Sequence, residues 1–186
     1  KLRSFHNQNE LDELLNAIQE EKQTLKSDIP IAVKISPDIL DEQVNQISQI
    51  LLNHEVKAII VSNTTDGNRE KLQNILKYQK GGLSGKPLEL KSNQLINKFY
   101  KLLYGKIKII GCGGVDSGKS AYEKIINGAS LIQLYTGMVY KGPNVASKIS
   151  NELIDILKNE GIKNISEAIG TKNWSWRRSL ERLYSH

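Results

Sequence analysis

The chain has 186 residues, of which 39% are hydrophobic and 25% charged, a composition typical of one globular domain with its own core. Its net charge of +6 is spread along the sequence without a basic run, which argues against a nucleic-acid-binding protein. The single cysteine, Cys112, excludes an internal disulfide, and three widely separated histidines give no metal-binding spacing, so we predict no metal site. The apolar runs are too short for a transmembrane helix, and we expect the chain to be soluble.

Helical and strand patterns alternate along the sequence. Apolar residues at helical spacing are followed by short apolar runs typical of buried strands. In chain order we predict a helix over 10–25, a strand over 31–35, a helix to residue 51, a strand over 58–61, a short helix over 70–77, a helix to residue 103, a strand over 107–110, a helix to residue 126, a strand over 130–134 and a helix to residue 156. Asp38 or Asp41 is expected to cap the second helix, and Ser117 the helix after the third strand.

This alternation predicts a parallel sheet, because consecutive parallel strands need a covering connection. Four such units could form a small doubly wound sheet or part of an eight-stranded barrel, which usually needs about 250 residues. Polar and glycine residues cluster after the strands, at 34, 62–65, 113–114 and 135–136. Barrel sites form at this end of the strands, and the sequence lacks a GxGxxG fingerprint. We therefore predict the α/β fold of about four units of a (β/α)₈ barrel.

A glycine-rich segment, GGLSGKPL at residues 81–88, lies between the second and third of these strands. Glycine has no Cβ and tolerates positive φ, so such a loop lets backbone N–H groups approach a ligand closely. Its position between two strands that end in polar or glycine residues predicts a cofactor site.

Six segments carry a family resemblance. They are VKISPD (33–38), VSNTT (61–65), GGLSGKPL (81–88), IIGCGGVDSG (109–118), GASLIQLYTG (128–137) and EAIGT (167–171). In this order they resemble the C-terminal half of dihydroorotate dehydrogenase, and the KPL ending resembles the class 2, quinone-linked form. Residues 1–171 are accordingly predicted to be the C-terminal half of a flavin-binding barrel, and 172–186 a tail.

The resemblance implies FMN as cofactor and assigns ten residues to the site. In the family, the lysine matching Lys34 lies against the flavin ring, where a fixed positive charge favours the anionic reduced flavin. The glycine pair after the third strand and the polar pair after the fourth match the FMN phosphate site, together with Ser117. Cys112 is predicted to serve packing only. The implied cofactor contacts are Lys34, Ser62, Ser84, Gly85, Gly113, Gly114, Tyr135 and Thr136, and the implied substrate contacts are Asn63 and Thr64.

The resemblance also implies a reaction, the oxidation of (S)-dihydroorotate to orotate with a quinone as electron acceptor. The serine base of class 2 enzymes lies in the first half of the barrel, so no catalytic residue is expected in this sequence, and this chain alone is expected to be nearly inactive. The parent enzyme is expected at a membrane surface, the cytoplasmic one in a bacterium, through N-terminal helices. The tail, with Trp174, Trp176, Arg177 and Arg178, could also suit a membrane interface.

Two other functions fit the same residues. Another FMN-dependent barrel oxidoreductase would keep the phosphate glycines but should lack the pair Asn63 and Thr64. A non-catalytic flavin-binding or self-associating module is the third possibility, because half a barrel exposes two strand edges that can pair with a second copy or with the other half.

Overall fold

A computed structural model describes residues 8–67, 69–70, 72–103 and 105–173. The helices are α1 (Gln8–Thr24), α2 (Asp41–Asn53), α3 (Glu89–Leu103), α4 (Gly118–Asn127), α5 (Thr136–Lys141), α6 (Val145–Asn159) and α7 (Ile165–Ala168). The strands are β1 (Ala32–Ile35), β2 (Ala58–Val61), β3 (Lys108–Cys112) and β4 (Leu131–Gln133), and 3₁₀ turns span Ile75–Tyr78, Lys86–Leu88 and Thr171–Asn173. The tail residues from 174 onward, for which a membrane interface was one of the alternatives, lie outside the described residues.

The four strands form one parallel sheet in the order β1-β2-β3-β4. Ile35 pairs with Val61, which pairs with Gly111, so the strands end at the same edge. In a doubly wound sheet the order would reverse at a switch point. The strictly sequential order is that of part of a (β/α)₈ barrel, as predicted.

The two faces of the sheet differ in burial. Ile35, Ile59, Val61 and Ile109 point to one face and are at most 2% exposed. They pack against apolar residues of the first three helices, among them Leu15, Leu51, Ile96 and Phe99. The other face carries Lys34, Ile60 and Ile110, which are exposed or half-buried. In a barrel this second face points inward.

The prediction for the start of the second helix is wrong. Its N-cap is Leu40, whose backbone N–H donates to Gln43 Oε1 at 2.8 Å. Asp41 lies inside the first turn, and Asp38 is engaged elsewhere, as described below. The predicted cap of α4 is confirmed, because Ser117 Oγ accepts a hydrogen bond from the Ser120 N–H at 3.2 Å.

Two short segments also differ from prediction. The helix expected over 70–77 is reduced, in the described residues, to the 3₁₀ turn Ile75–Tyr78, capped by Asn74 Oδ1 on the Leu76 N–H at 2.9 Å. The unpredicted helix α5 directly follows the last strand. Both segments border the site, where loop geometry is set by tertiary contacts more than by periodicity.

Lys124 of α4 is fully buried between α3 and the sheet. Its ammonium donates to Ser92 Oγ at 3.0 Å and to Asn93 Oδ1 at 2.9 Å. Burial lowers the pKa of Lys124 from 10.5 to about 8, because its partners only partly replace the lost hydration.

This depressed pKa predicts a pH-dependent stability. Between the folded pKa of about 8 and the unfolded value of 10.5, the unfolded chain binds more protons, so the free energy of unfolding rises with pH. Relative to a Lys124→Met variant, the wild type should gain on the order of 2 kcal/mol between pH 7 and pH 10. Urea unfolding of both proteins at four pH values measures this gain. Parallel pH profiles would contradict the assignment.

Candidate functional site

A cavity of about 920 Å³ opens at the carboxyl ends of the four strands. All ten residues that the resemblance implies as cofactor or substrate contacts line it. These residues are Lys34, Ser62, Asn63, Thr64, Ser84, Gly85, Gly113, Gly114, Tyr135 and Thr136. They come from four strand ends and the glycine-rich loop, and the structure brings all of them together.

The residues after β2 extend the hydrogen bonding of the sheet. The Ser62 N–H donates to the Cys112 carbonyl at 2.8 Å, and the Asn63 N–H donates to the Ile35 carbonyl at 2.7 Å. Asn63 Oδ1 accepts the N–H of Thr64 at 2.9 Å. The Asn63 amide is thus oriented by its own chain, and its nitrogen supplies N–H donors at the cavity wall.

Asp38 ties the end of β1 to the segment after β2. Its carboxylate accepts hydrogen bonds from Thr65 Oγ1 at 2.5 Å and from the Asp66 N–H at 2.8 Å, and it pairs with Lys91 Nζ at 2.5 Å. Thr65 is fully buried and exchanges two backbone hydrogen bonds with Leu83 of the glycine-rich loop, of 3.1 and 2.7 Å. One carboxylate therefore helps to hold three site segments in register.

The glycine-rich loop passes close to its neighbours. A Cβ on Gly82 would lie 1.9 Å from Thr64 Oγ1, and Gly85 has a φ of +77° with Thr136 Cγ2 3.0 Å from its ideal Cβ position. Ser84 Oγ and Thr136 Oγ1 are 2.8 Å apart and hydrogen-bonded. The loop is thus joined to the segment after β4 across the cavity mouth.

Gly113 and Gly114 turn the chain away from β3 with φ of +112° and +76°. A Cβ on Gly114 would lie 2.4 Å from Glu89 Cβ and 2.7 Å from Glu89 Cα, and one on Gly113 would lie 2.9 Å from Leu88 Cδ2. Both positions combine a left-handed backbone with the closely packed start of α3. Only glycine meets both conditions without a shift of the backbone.

The N-terminus of α4 is already filled by a carboxylate. Glu152 Oε2 of α6 accepts the Gly118 N–H at 2.5 Å, while Ser117 caps the helix. Ser117 does not line the cavity. The structure therefore places the Ser117 hydroxyl at the N-cap of α4 and not on the cavity wall, and its contact with a phosphate stays a prediction.

Charged side chains at the cavity rim are paired with one another. Lys86 forms an ion pair with Glu89, and its ammonium lies 3.7 Å from Asp116 Oδ1. Lys141 Nζ lies 3.5 Å from Asp116 Oδ2 and donates to its backbone carbonyl at 2.8 Å. Burial acts to raise the pKa of Asp116, but Lys86 and Lys141 outweigh it and hold the pKa below 3.8. The hydrogen bond to Glu89 raises the pKa of Lys86.

Arg69 organises the loop above the cavity. Its guanidinium donates to the carbonyls of Lys77 and Gln79, each at 2.9 Å, and to that of Gly81. Its Nε donates to the Asp66 carbonyl at 3.3 Å. The planar guanidinium of Arg69 thus holds together several turns that contain little regular secondary structure.

We expect Arg69→Gln to loosen this loop, because glutamine cannot span the three carbonyls. Trypsin cleavage after Lys77 and Lys80 should accelerate about tenfold or more, the equivalent of about 1.4 kcal/mol or more. The rates are measured by mass spectrometry under native conditions. Cleavage after Lys158, at the end of α6, is the internal control and should not change. Equal acceleration at all sites would contradict a local role for Arg69.

Several cavity residues were missed by the sequence analysis, namely Arg69, Lys86, Asp116, Gly137, Tyr140 and Lys141. Cys112 also lines the cavity, although packing alone was predicted for it. Lys86 and Asp116 stand within the quoted motifs and could have been found there. Tyr140 and Lys141 are placed by α5, which no periodicity signalled.

Comparison with known proteins agrees with this geometry. A sequence model of the family described as dihydroorotate dehydrogenase matches residues 1–157, most of the chain. The chain belongs to the dihydroorotate dehydrogenase family. The prediction made from the six segments is thereby confirmed.

Relatives of the quinone-linked class share substantial identity with the chain. The mouse protein named dihydroorotate dehydrogenase (quinone), mitochondrial, is 40% identical over 171 residues, which cover 91% of this chain and 43% of the relative. The Cronobacter sakazakii protein named dihydroorotate dehydrogenase (quinone) is 42% identical over 158 residues, or 82% of this chain and 46% of the relative. These names confirm the class 2 resemblance.

A solved structure of the family from Eimeria tenella superposes closely on this chain. The crystal structure of the enzyme in complex with ferulenol gives a TM-score of 0.87 at 34% identity, and covers 92% of this chain and 50% of that one. The chain thus spans about half the length of the family members it matches.

Two further findings concern the described residues as a whole. None of their helices combines the length and apolar character needed to cross a bilayer. No group of three or more histidine, cysteine, aspartate or glutamate side chains in these residues is arranged to hold a metal ion.

Proposed function

We propose that this chain supplies the FMN-binding and part of the substrate-binding site of a quinone-linked dihydroorotate dehydrogenase. The whole enzyme would oxidise (S)-dihydroorotate to orotate in pyrimidine synthesis. One observation carries the proposal: ten residues matched to the family by motif, from five separate segments, line a single cavity. Its volume of about 920 Å³ lies within the range of small-molecule and cofactor sites.

The residues present fit a flavin mononucleotide. Gly113 and Gly114 line the cavity on a left-handed turn, and Thr136 and Gly137, which also line it, begin α5. Such groups suit a phosphate, since each carries a donor and none is shielded by a bulky side chain. When bound, FMN would accept a hydride from the substrate. Lys86 and Lys141 at the rim add little net positive charge to the cavity, because Asp116 and Glu89 already pair with them.

The ring and substrate contacts follow from chemistry at the strand ends. Lys34 stands exposed on the inward face of β1, where its charge would favour an anionic reduced flavin. Ser62, Ser84 and Gly85 would contact the ring system. Asn63 and Thr64 would bind the carbonyl groups and N–H groups of dihydroorotate through their amide and hydroxyl.

The serine base and the membrane contact of the whole enzyme would lie in family segments outside this sequence. We place the serine base, which removes the proton from C5 of dihydroorotate, in the first half of the barrel. Helices preceding that half would carry the quinone path and a peripheral membrane contact. In anaerobic dihydroorotate titrations, flavin bound to this chain alone should therefore stay oxidised, and bleaching would overturn this part.

A second function is favoured by the open face and edges of the sheet. Within the described strands, β1 and β4 each pair on one edge only, and Leu131 of β4 is 61% exposed. A flavin-binding module that associates with a second copy or with the other half of the barrel would cover these surfaces. Analytical ultracentrifugation at several concentrations tests it. A monomer throughout would contradict self-association.

The test of cofactor binding compares two flavins that differ only in the phosphate. Quenching of flavin fluorescence by the purified chain gives the Kd for FMN and for riboflavin. A phosphate site at the glycine pair predicts that FMN binds at least about tenfold more tightly, since a charge-assisted contact contributes about 1.5 kcal/mol or more. Equal affinities, or no binding of either flavin, would overturn the proposed site.

A further inference from the structure

A buried lysine lies beneath the cavity without contributing to its wall. Lys124 is fully buried, and its two hydrogen-bond partners, Ser92 Oγ and Asn93 Oδ1, are both neutral. Lysine is rarely buried completely, and an ammonium with neutral partners costs folding free energy that an apolar side chain would not. The position therefore calls for an explanation in terms of what the ammonium orders.

Ser92 connects this ammonium to the ends of two strands. Its Oγ lies 2.7 Å from the Cys112 carbonyl and 3.2 Å from that of Val61. The Cys112 carbonyl also accepts the Ser62 N–H at 2.8 Å. A serine hydroxyl has one proton and two acceptor positions, whereas an ammonium can only donate. Because Lys124 donates to Ser92, the serine proton is directed to the strand-end carbonyls.

The same pair packs directly against the glycines of β3 and its turn. An ideal Cβ on Gly111 would lie 2.9 Å from Lys124 Cδ, and one on Gly113 would lie 3.5 Å from Ser92 Cβ. Ser92 is fully buried, so water cannot replace either partner. The contacts reach the backbone of the turn to which the proposed function assigns the phosphate.

We propose that Lys124 is a positioning residue that acts through Ser92 to hold the ends of β2 and β3 together beneath the cavity. The proposed function is the basis for calling these strand ends a flavin site. The hydrogen bonds alone are the basis for the role of Lys124 and Ser92 in holding them. Removal of the ammonium leaves a buried serine oxygen and the Asn93 carbonyl with less than their full complement of donors, which loosens the strand ends locally.

Amide hydrogen exchange of the purified chain, followed by NMR, tests this directly. The Ser62 amide reports on the strand ends. The Lys57 amide, which donates to the Ile31 carbonyl at 3.1 Å at the opposite end of the sheet, is the reference. In Lys124→Met and in Ser92→Ala, protection of Ser62 should fall about tenfold while that of Lys57 changes less than about twofold. The double variant should lose little more than either single one.

Equal loss of protection at Ser62 and Lys57 would overturn the proposal, because it would show a general loss of stability. Unchanged protection at Ser62, or additive losses in the double variant, would overturn it as well. Ser92→Ala removes one oxygen only, so it keeps the test decisive if Lys124→Met does not fold. FMN affinity is measured in parallel. Absence of flavin binding with the expected exchange pattern would refute the proposed function and leave the positioning role intact.

Discussion

Replacing Gly114 with alanine should abolish FMN binding and destabilise the fold by about 2 kcal/mol or more, of which the left-handed backbone alone accounts for about 1–2 kcal/mol. The added Cβ would lie 2.7 Å from the Cα of Glu89, a backbone atom that cannot move aside without shifting the start of α3. Urea unfolding gives the change in stability, and flavin fluorescence the Kd.

Gly161 offers a matched control for this substitution. It has a φ of +69°, close to that of Gly114, but an added Cβ would meet nothing within 4 Å. Gly161→Ala should therefore show only the cost of the backbone conformation, about 1–2 kcal/mol, with unchanged FMN affinity. If both variants lost the same stability and both retained FMN, the close approach at Gly114 would have no functional consequence.

Asp38→Ala should be the most damaging substitution among the carboxylates of the site. It removes the acceptor of the buried Thr65 hydroxyl and of the Asp66 N–H, and leaves Lys91 without this carboxylate. We expect a loss of about 1–3 kcal/mol in the free energy of unfolding, because a buried hydroxyl loses its partner. Orotate binding should weaken as well, since Asn63 and Thr64 immediately precede the released segment.

Asp41→Ala provides the control for this substitution. Asp41 also pairs with a lysine of α3, Lys98, but its side chain is 80% exposed. Exposed ion pairs contribute little to stability, so the free energy of unfolding should fall by less than about 1 kcal/mol. Orotate affinity should not change. Equal losses for the two aspartates in urea unfolding would show that Asp38 is only a surface charge.

The order of elements was predictable from sequence because the first three strands each bury one face under helices. Runs such as the one ending at Val61 and the helical spacing around Phe99 reflect that burial directly, and the predicted strand positions differ from the observed ones by at most two residues at either end. Glycine pairs and polar residues after the strands marked the site, since parallel strands end at one edge. The six motifs then supplied the family.

The errors arose where tertiary contacts outweigh local preference. Asp38 has the composition of a helix cap, yet a hydroxyl and an amide 27 and 28 residues away compete for its carboxylate. Residues Ile75–Tyr78 form a 3₁₀ turn in a loop where the Arg69 guanidinium donates to the carbonyls of Lys77 and Gln79. His54, for which the sequence indicated no partner, is 11% exposed, and its Nε2 lies 2.7 Å from Asp12 Oδ1.

Lys124 shows a different limit of sequence analysis. It follows Glu123 in a helix of mixed charge, a setting typical of a solvent-exposed lysine. Nothing in the spacing indicates that its side chain turns inward to meet α3. Buried polar contacts between distant segments depend on how helices pack, and a single sequence does not encode that in a readable pattern.

A titration of the FMN-loaded chain with orotate, followed by the visible absorption spectrum of the flavin, tests whether the two ligands share this cavity. A shared cavity predicts that orotate perturbs the flavin spectrum of the wild type, that Asn63→Ala abolishes the perturbation while FMN stays bound, and that Asn53→Ala at the exposed end of α2 leaves it unchanged. A bound flavin whose spectrum does not respond to saturating orotate, or responds equally in Asn63→Ala, would contradict the placement of both ligands in this cavity.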